Sequence, residues 1–174
     1  PTSGGIWESS EPQFINIDNN GLVTSLMAGS AVLTYTRLSD GCSNTMIFNV
    51  NGNPTAPIVG TITQPTCYVP FGSVQLNGLP SSGSWILTRT PGNVTYPGSG
   101  ISYVVDSLAP DATYTFNITN DNGCISSLSN QVVINAIPGS PNVGGPTSIC
   151  IGTTTNVTPS SGGTGVSSNN SRAT

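Results

Sequence analysis

Four cysteines, at positions 42, 67, 124 and 150, are the most reactive side chains of this 174-residue sequence, which contains neither histidine nor lysine. A serine or cysteine nucleophile needs an activating base, and here the usual ones are missing. The cysteines stand at wide spacings with no CxxC pair, so they read as bridges formed in an oxidising compartment and not as zinc ligands. Two carboxylate pairs, Glu8 with Glu11 and Asp106 with Asp111, have the chemistry of glycosidase acids. Such acids work across a cleft that small sandwiches seldom provide. We therefore expect no catalytic residue and no cofactor.

Hard oxygen ligands occur on glycine-bearing turns, DNNG at Asp18–Gly21 and NDNG at Asn120–Gly123, but neither has the ligand spacing of a calcium loop. Both read as hairpin turns in which Asn, Asp and Gly supply positive φ, and no metal site is expected. Trp7, Trp85 and Tyr114 could form a sugar-stacking platform, which makes glycan binding the alternative function. Their places within strand patterns favour Trp7 and Trp85 as core aromatics. Three arginines (Arg37, Arg89, Arg172) against seven carboxylates give a net charge of −4. A surface so poor in cations does not suit nucleic acid or an anionic membrane. The longest apolar runs are also far short of a membrane span.

These side chains must be positioned by strands. Twenty-one glycines and fourteen prolines punctuate the sequence, and no apolar stripe of helical period survives between them. SAVLTYT (Ser30–Thr36) puts Ala31, Leu33 and Tyr35 on one face, and TYTFNIT (Thr113–Thr119) does the same with Tyr114, Phe116 and Ile118. Further strands are expected at 14–17, 46–50, 59–63, 73–77, 84–88, 102–105 and 131–135. Short strands at this spacing, separated by Asn/Asp-Gly turns, predict an all-β fold of antiparallel sandwiches.

The ends of the sequence resemble each other. PTSGGIWESS at Pro1–Ser10 and PSSGGTGVSS at Pro159–Ser168 agree at six of ten positions, an offset of 159 − 1 = 158 residues. Such a period predicts tandem immunoglobulin-like sandwiches in a repeat array, the chain being a window cut from it. Strand donation between separate subunits is the competing explanation, but residues 159–174 duplicate 1–16 and two segments would compete for one place. The Pro-rich stretches Asn51–Pro57 and Ile137–Pro146 read as linkers. The expected division is residues 1–53, the C-terminal part of one sandwich; 54–138, a complete one; and 139–174, the N-terminal part of the next. The absence of a leader at Pro1 fits an internal excerpt of a longer precursor.

Cys67, Trp85 and Cys124 follow the Cys…Trp…Cys order of an immunoglobulin-like sandwich, so a Cys67–Cys124 bridge is expected. Cys42 and Cys150 are expected to be inter-repeat cysteines, Cys150 pairing with the next copy's equivalent of Cys42 and not with Cys42 of the same chain. Trp7 has Gly165 as its counterpart one period on. With domains near 40 Å long, each two-domain unit should add roughly 70 to 90 Å to an elongated molecule.

NNGLVTSLMAGSAVLTYT followed by GC (Asn19–Cys42) resembles the bacterial immunoglobulin-like group 2 repeat. DSLAPDATYTFNITNDNGC (Asp106–Cys124) resembles repeats of giant surface adhesins of gliding Bacteroidetes, of the SprB type. The resemblance implies an extracellular, cell-surface protein exported by type IX secretion, a long filament serving adhesion and gliding motility. Its partners would be neighbouring repeats and an external surface or glycan. It also implies possible O-glycosylation at Ser107, in the short motif Asp106–Leu108.

Overall fold

The computed structural model describes residues 4–159, and every regular element in them is a β-strand. In chain order these are β1 (Gly5–Ser9), β2 (Ile15–Ile17), β3 (Val23–Ser25), β4 (Gly29–Arg37), β5 (Ser43–Val50), β6 (Ile58–Thr63), β7 (Gly72–Asn77), β8 (Ser84–Thr90), β9 (Val94–Ser99), β10 (Ser102–Leu108), β11 (Ala112–Asn120), β12 (Val132–Ile134), β13 (Val143–Gly144) and β14 (Thr158–Pro159). All pairings are antiparallel. Of the ten-residue stretch that resembles the start of the chain, all but Pro159 lies outside the described residues.

Strands β6 to β12 build a sandwich of two sheets, in the orders β10-β7-β6 and β12-β11-β8-β9. Alternation decides which side chains fill it. Val74 and Leu76 of β7, Trp85 and Leu87 of β8, and Tyr114, Phe116 and Ile118 of β11 point into one buried cluster with Val105, Leu108, Val132 and Ile134. This division of strands, with a buried tryptophan at its centre, is an immunoglobulin-like sandwich whose extra edge strand β9 joins the β8 sheet. Tyr114 supplies a further hallmark: its hydroxyl donates to the carbonyl of Ala109, 3.4 Å away at the corner before β11. The Arg89 guanidinium lies 5.1 Å from the centre of the same ring.

Two edges are closed by side chains where strands fall short. β12 pairs with β11 only over Ala112–Tyr114. Beyond that point the Ser129 and Ser126 hydroxyls accept the N–H groups of Phe116 and Ile118, each at 3.0 Å. Those serines return their own N–H groups to the carbonyls of Phe116 (2.7 Å) and Ile118 (2.8 Å), so no buried backbone group of the pair is left without a partner. Gln64, just after β6, bridges the two sheets: its side-chain N–H donates to Val133 O (3.0 Å) and its carbonyl accepts the Asn135 N–H (2.8 Å).

The leading unit is thinner. β1, β4 and β5 form one sheet in the order β1-β4-β5, with the β2–β3 hairpin beside it. Its fully buried residues are Ile15, Ala31 and Leu33, with Trp7, Phe14, Ile17, Val23, Phe48 and Val50 half-covered around them. β13 and β14 form a separate two-stranded ladder through Val143–Pro159 and Gly144–Thr158.

Candidate functional site

The features with chemical potential gather at the two ends of the β6–β12 sandwich, because strand direction carries the chain in at one end and out at the other. At the incoming end the linker meets the turns after β7 and β11. Thr55 Oγ1 donates to Gly78 O at 3.3 Å, and the Cys124 thiol lies 3.7 Å from the carbonyl of Asn51. At the outgoing end the Cys67 thiol donates to the carbonyl of Pro138 at 3.4 Å, where the chain leaves β12. Each thiol therefore touches a linker, and each touches a different one.

This geometry corrects the expected Cys67–Cys124 bridge. Cys67 precedes β7 at the end where β11 begins, and Cys124 follows β11 where it ends. The nine residues of β11 span about 30 Å at about 3.3 Å each, whereas a disulfide needs Cα atoms within about 7 Å. All four cysteines are free thiols, with Cys42, Cys67 and Cys150 exposed and Cys124 half-buried.

Cys42 and Cys124 sit in the same kind of turn. In the first, Asp40 Oδ1 accepts the Cys42 N–H (3.1 Å), Cys42 O accepts the Arg37 N–H (2.9 Å), and Gly41 has φ 73°. In the second, Asn120 Oδ1 accepts the Cys124 N–H (2.9 Å), Cys124 O accepts the Asn120 N–H (3.0 Å), and Gly123 has φ 78°. A short acceptor side chain and a left-handed glycine thus place a cysteine at the tip following the unit's longest strand. Arg37 forms a salt bridge with Asp40, which holds the Asp40 carboxyl below the usual carboxylate range. Cys67 and Cys150 form a second kind, each in the loop between the two strands of a hairpin, β6–β7 and β13–β14.

The proposed sugar platform is not assembled. Trp85 is 1% exposed, its indole N–H donating to Gly100 O at 3.0 Å and its ring set edge-on to Tyr103 at 5.6 Å. Tyr114 is buried as well. Trp7 is half-buried and packs on Tyr35, ring centres 4.9 Å apart.

That pair marks a gap in the leading unit. Register places Trp7 opposite Tyr35, Tyr35 opposite Asn44 and Leu33 opposite Met46, so all five project from the same face as the buried Leu33. They line a depression of about 230 Å³ with Thr45. Met46, on this inner face, is 51% exposed. In the β6–β12 sandwich the corresponding face is covered by β6, β7 and β10; among the described residues the leading unit has only β2 and β3 beside its sheet.

The carboxylate and amide turns are occupied by their own backbone. Asp18 Oδ1 accepts the N–H groups of Asn20 (2.9 Å) and Leu22 (2.8 Å) between β2 and β3, and these bonds, that to Leu22 foremost, lower its pKa. Asn120 is similarly engaged with Asn122 and Cys124. Among the described residues no three metal-ligating side chains come together. Ser107 lies within β10, exposed on a bulge between Val105 and Leu108 and with φ 55°. Sequence reasoning did not single out Gln64, Ser126, Ser129 or the Tyr114–Ala109 contact.

No protein-family model matches the chain, and no curated protein matches it in sequence. Solved structures with some likeness include those of an S-layer protein, SbsC. Its domains 4 and 5 align with a TM-score of 0.32 and 14% identity, over 79% of this chain and 72% of that one. The structure of its domains 1–6 gives a TM-score of 0.33 and 14% identity over 82% of this chain and 22% of that one. Domains 4–9 give 0.31 and 16%, over 82% and 23%. The resemblance to gliding-bacterium adhesins and group 2 repeats thus rests on the residues quoted for it.

Proposed function

We propose that this chain is a stretch of a repeat array of immunoglobulin-like sandwiches forming an extracellular, cell-surface filament, whose work is mechanical extension and adhesion and not catalysis. One observation carries the reading: the β6–β12 sandwich receives its chain at the Cys124 end and releases it at the Cys67 end. Units joined that way add length with each repeat. The incomplete cover over the inner face of β1, β4 and β5, where Met46 stays half exposed, supports the same reading. Residues 1–53 are then the C-terminal part of a sandwich whose first strands come before them, and residues 139–174 the N-terminal part of the next.

The resemblance at Asn19–Cys42 and Asp106–Cys124 extends the proposal to type IX export and a part in gliding, with Ser107 on its exposed bulge as an O-glycosylation position. Small-angle scattering on one unit and on two units joined in one chain tests the architecture. The maximum dimension should grow by roughly 70 to 90 Å per added unit, from strand rise and loop length. A dimension that stays nearly constant would overturn it. Antibody labelling of intact cells tests the location.

A further inference from the structure

We infer that the cysteines lock the joints between successive sandwiches, pairing across each linker and not within a sandwich. This rests on the repeat-array reading and goes beyond it by naming the pairs. Every sandwich carries one thiol at each end. Cys124 marks the incoming end of its sandwich beside Asn51, and Cys67 marks the outgoing end beside Pro138. Cys42 shares the Cys124 turn and lies at the end of β4 opposite to the one from which Val50 leaves, so it too marks an incoming end.

Cys150 belongs with Cys67. Their separation is 150 − 67 = 83 residues, and the same step carries β6 (58–63) to 141–146 and β7 (72–77) to 155–160, ranges that contain β13 and β14. It therefore marks the outgoing end of its sandwich.

At every joint an outgoing-end thiol faces an incoming-end thiol across a short linker. Following the 158-residue period, Cys67 meets Cys42 of the following unit, and Cys150 meets Cys124 of the following unit. Pairing within one sandwich is blocked, because its two thiols are a full strand length apart. Each bridge removes two electrons and two protons from a pair of thiols. A low-molecular-weight disulfide such as oxidised glutathione accepts them and leaves as two thiols. The bond closes a loop around the linker and limits bending at the joint without altering either core.

The test is a protein of two successive units in one chain, residues 1–158 followed by 1–174, equilibrated with oxidised glutathione and mapped as non-reduced peptides. The expected peptides join Cys67 to the following unit's Cys42, and Cys150 to the following unit's Cys124. Cys67→Ser should leave the following unit's Cys42 open to alkylation and the second bridge intact. A Cys67–Cys124 peptide within a unit, or recovery of all thiols free, overturns the inference. Scattering on the same sample separates the two failures: a rod with free thiols sinks the bridges alone, whereas a compact particle sinks the array as well.

Discussion

The indole of Trp85 occupies the space into which a side chain at Gly98 would grow. The two residues face each other across the β8–β9 ladder, and a Cβ added at Gly98 would meet the far edge of the ring. The central tryptophan of the sandwich is thus seated by an absence of side chain on the edge strand. Gly98→Ala should force the buried ring to move and lower stability by about 1–3 kcal/mol, the usual scale of overpacking. Urea denaturation followed by Trp fluorescence measures it, and an unchanged midpoint would show that the ring has room to shift.

Ser129→Ala removes the acceptor for the Phe116 N–H in a buried position and keeps the backbone path. An unpaired buried donor costs about 1–3 kcal/mol, and Ser126→Ala should cost a similar amount at Ile118. Amide exchange at Phe116 and Ile118 should accelerate selectively in the respective variants. Equal protection in the variant and the parent would show that another acceptor takes over.

Gln64→Ala breaks both bonds that tie the end of β6 to β12. Because both bonds are solvent-exposed, the main effect should be local: faster exchange at Asn135, whose N–H loses its acceptor, with a global loss of about 1 kcal/mol or less. A global collapse of protection would contradict this assignment.

Asp18 gives an acid-side dependence of stability. Its folded pKa is lowered, chiefly by the Leu22 N–H, from the ordinary 3.8. The carboxylate therefore contributes stability that is fully present above that value and is lost as pH falls through the lowered folded pKa. NMR titration should find the Asp18 midpoint below 3.8, and Asp18→Asn should flatten this part of the acid limb. A midpoint at or above the ordinary value would contradict the turn geometry.

Thiol accessibility separates the four cysteines in a single unit. Cys42, Cys67 and Cys150 are exposed and Cys124 is half-buried, so an aromatic disulfide reagent should titrate the first three faster than the fourth. Mass spectrometry of partly labelled protein gives the order, and a fast Cys124 would overturn it.

Residue type and alternation alone located nine of the fourteen described strands and the inner faces of the longest. Period-2 patterning in Ser30–Thr36 and Thr113–Thr119 placed Ala31, Leu33, Phe116 and Ile118 inward, because a pleated chain has only two sides and burial selects one. β1, β3, β9, β13 and β14 escaped this reading; in β9 Pro97 and Gly98 interrupt the pattern, and an edge strand tolerates a proline that a central one does not. What the tertiary structure decided was which end of the sandwich each residue occupies. Cys67 and Cys124 flank Trp85 in sequence order, as an inter-sheet pair would. Order along a chain says nothing of whether a cysteine sits before or after its strand in space. β7 and β11 run in the same direction, so a cysteine before the one and a cysteine after the other lie at opposite ends, and a bond of about 2 Å cannot span a strand.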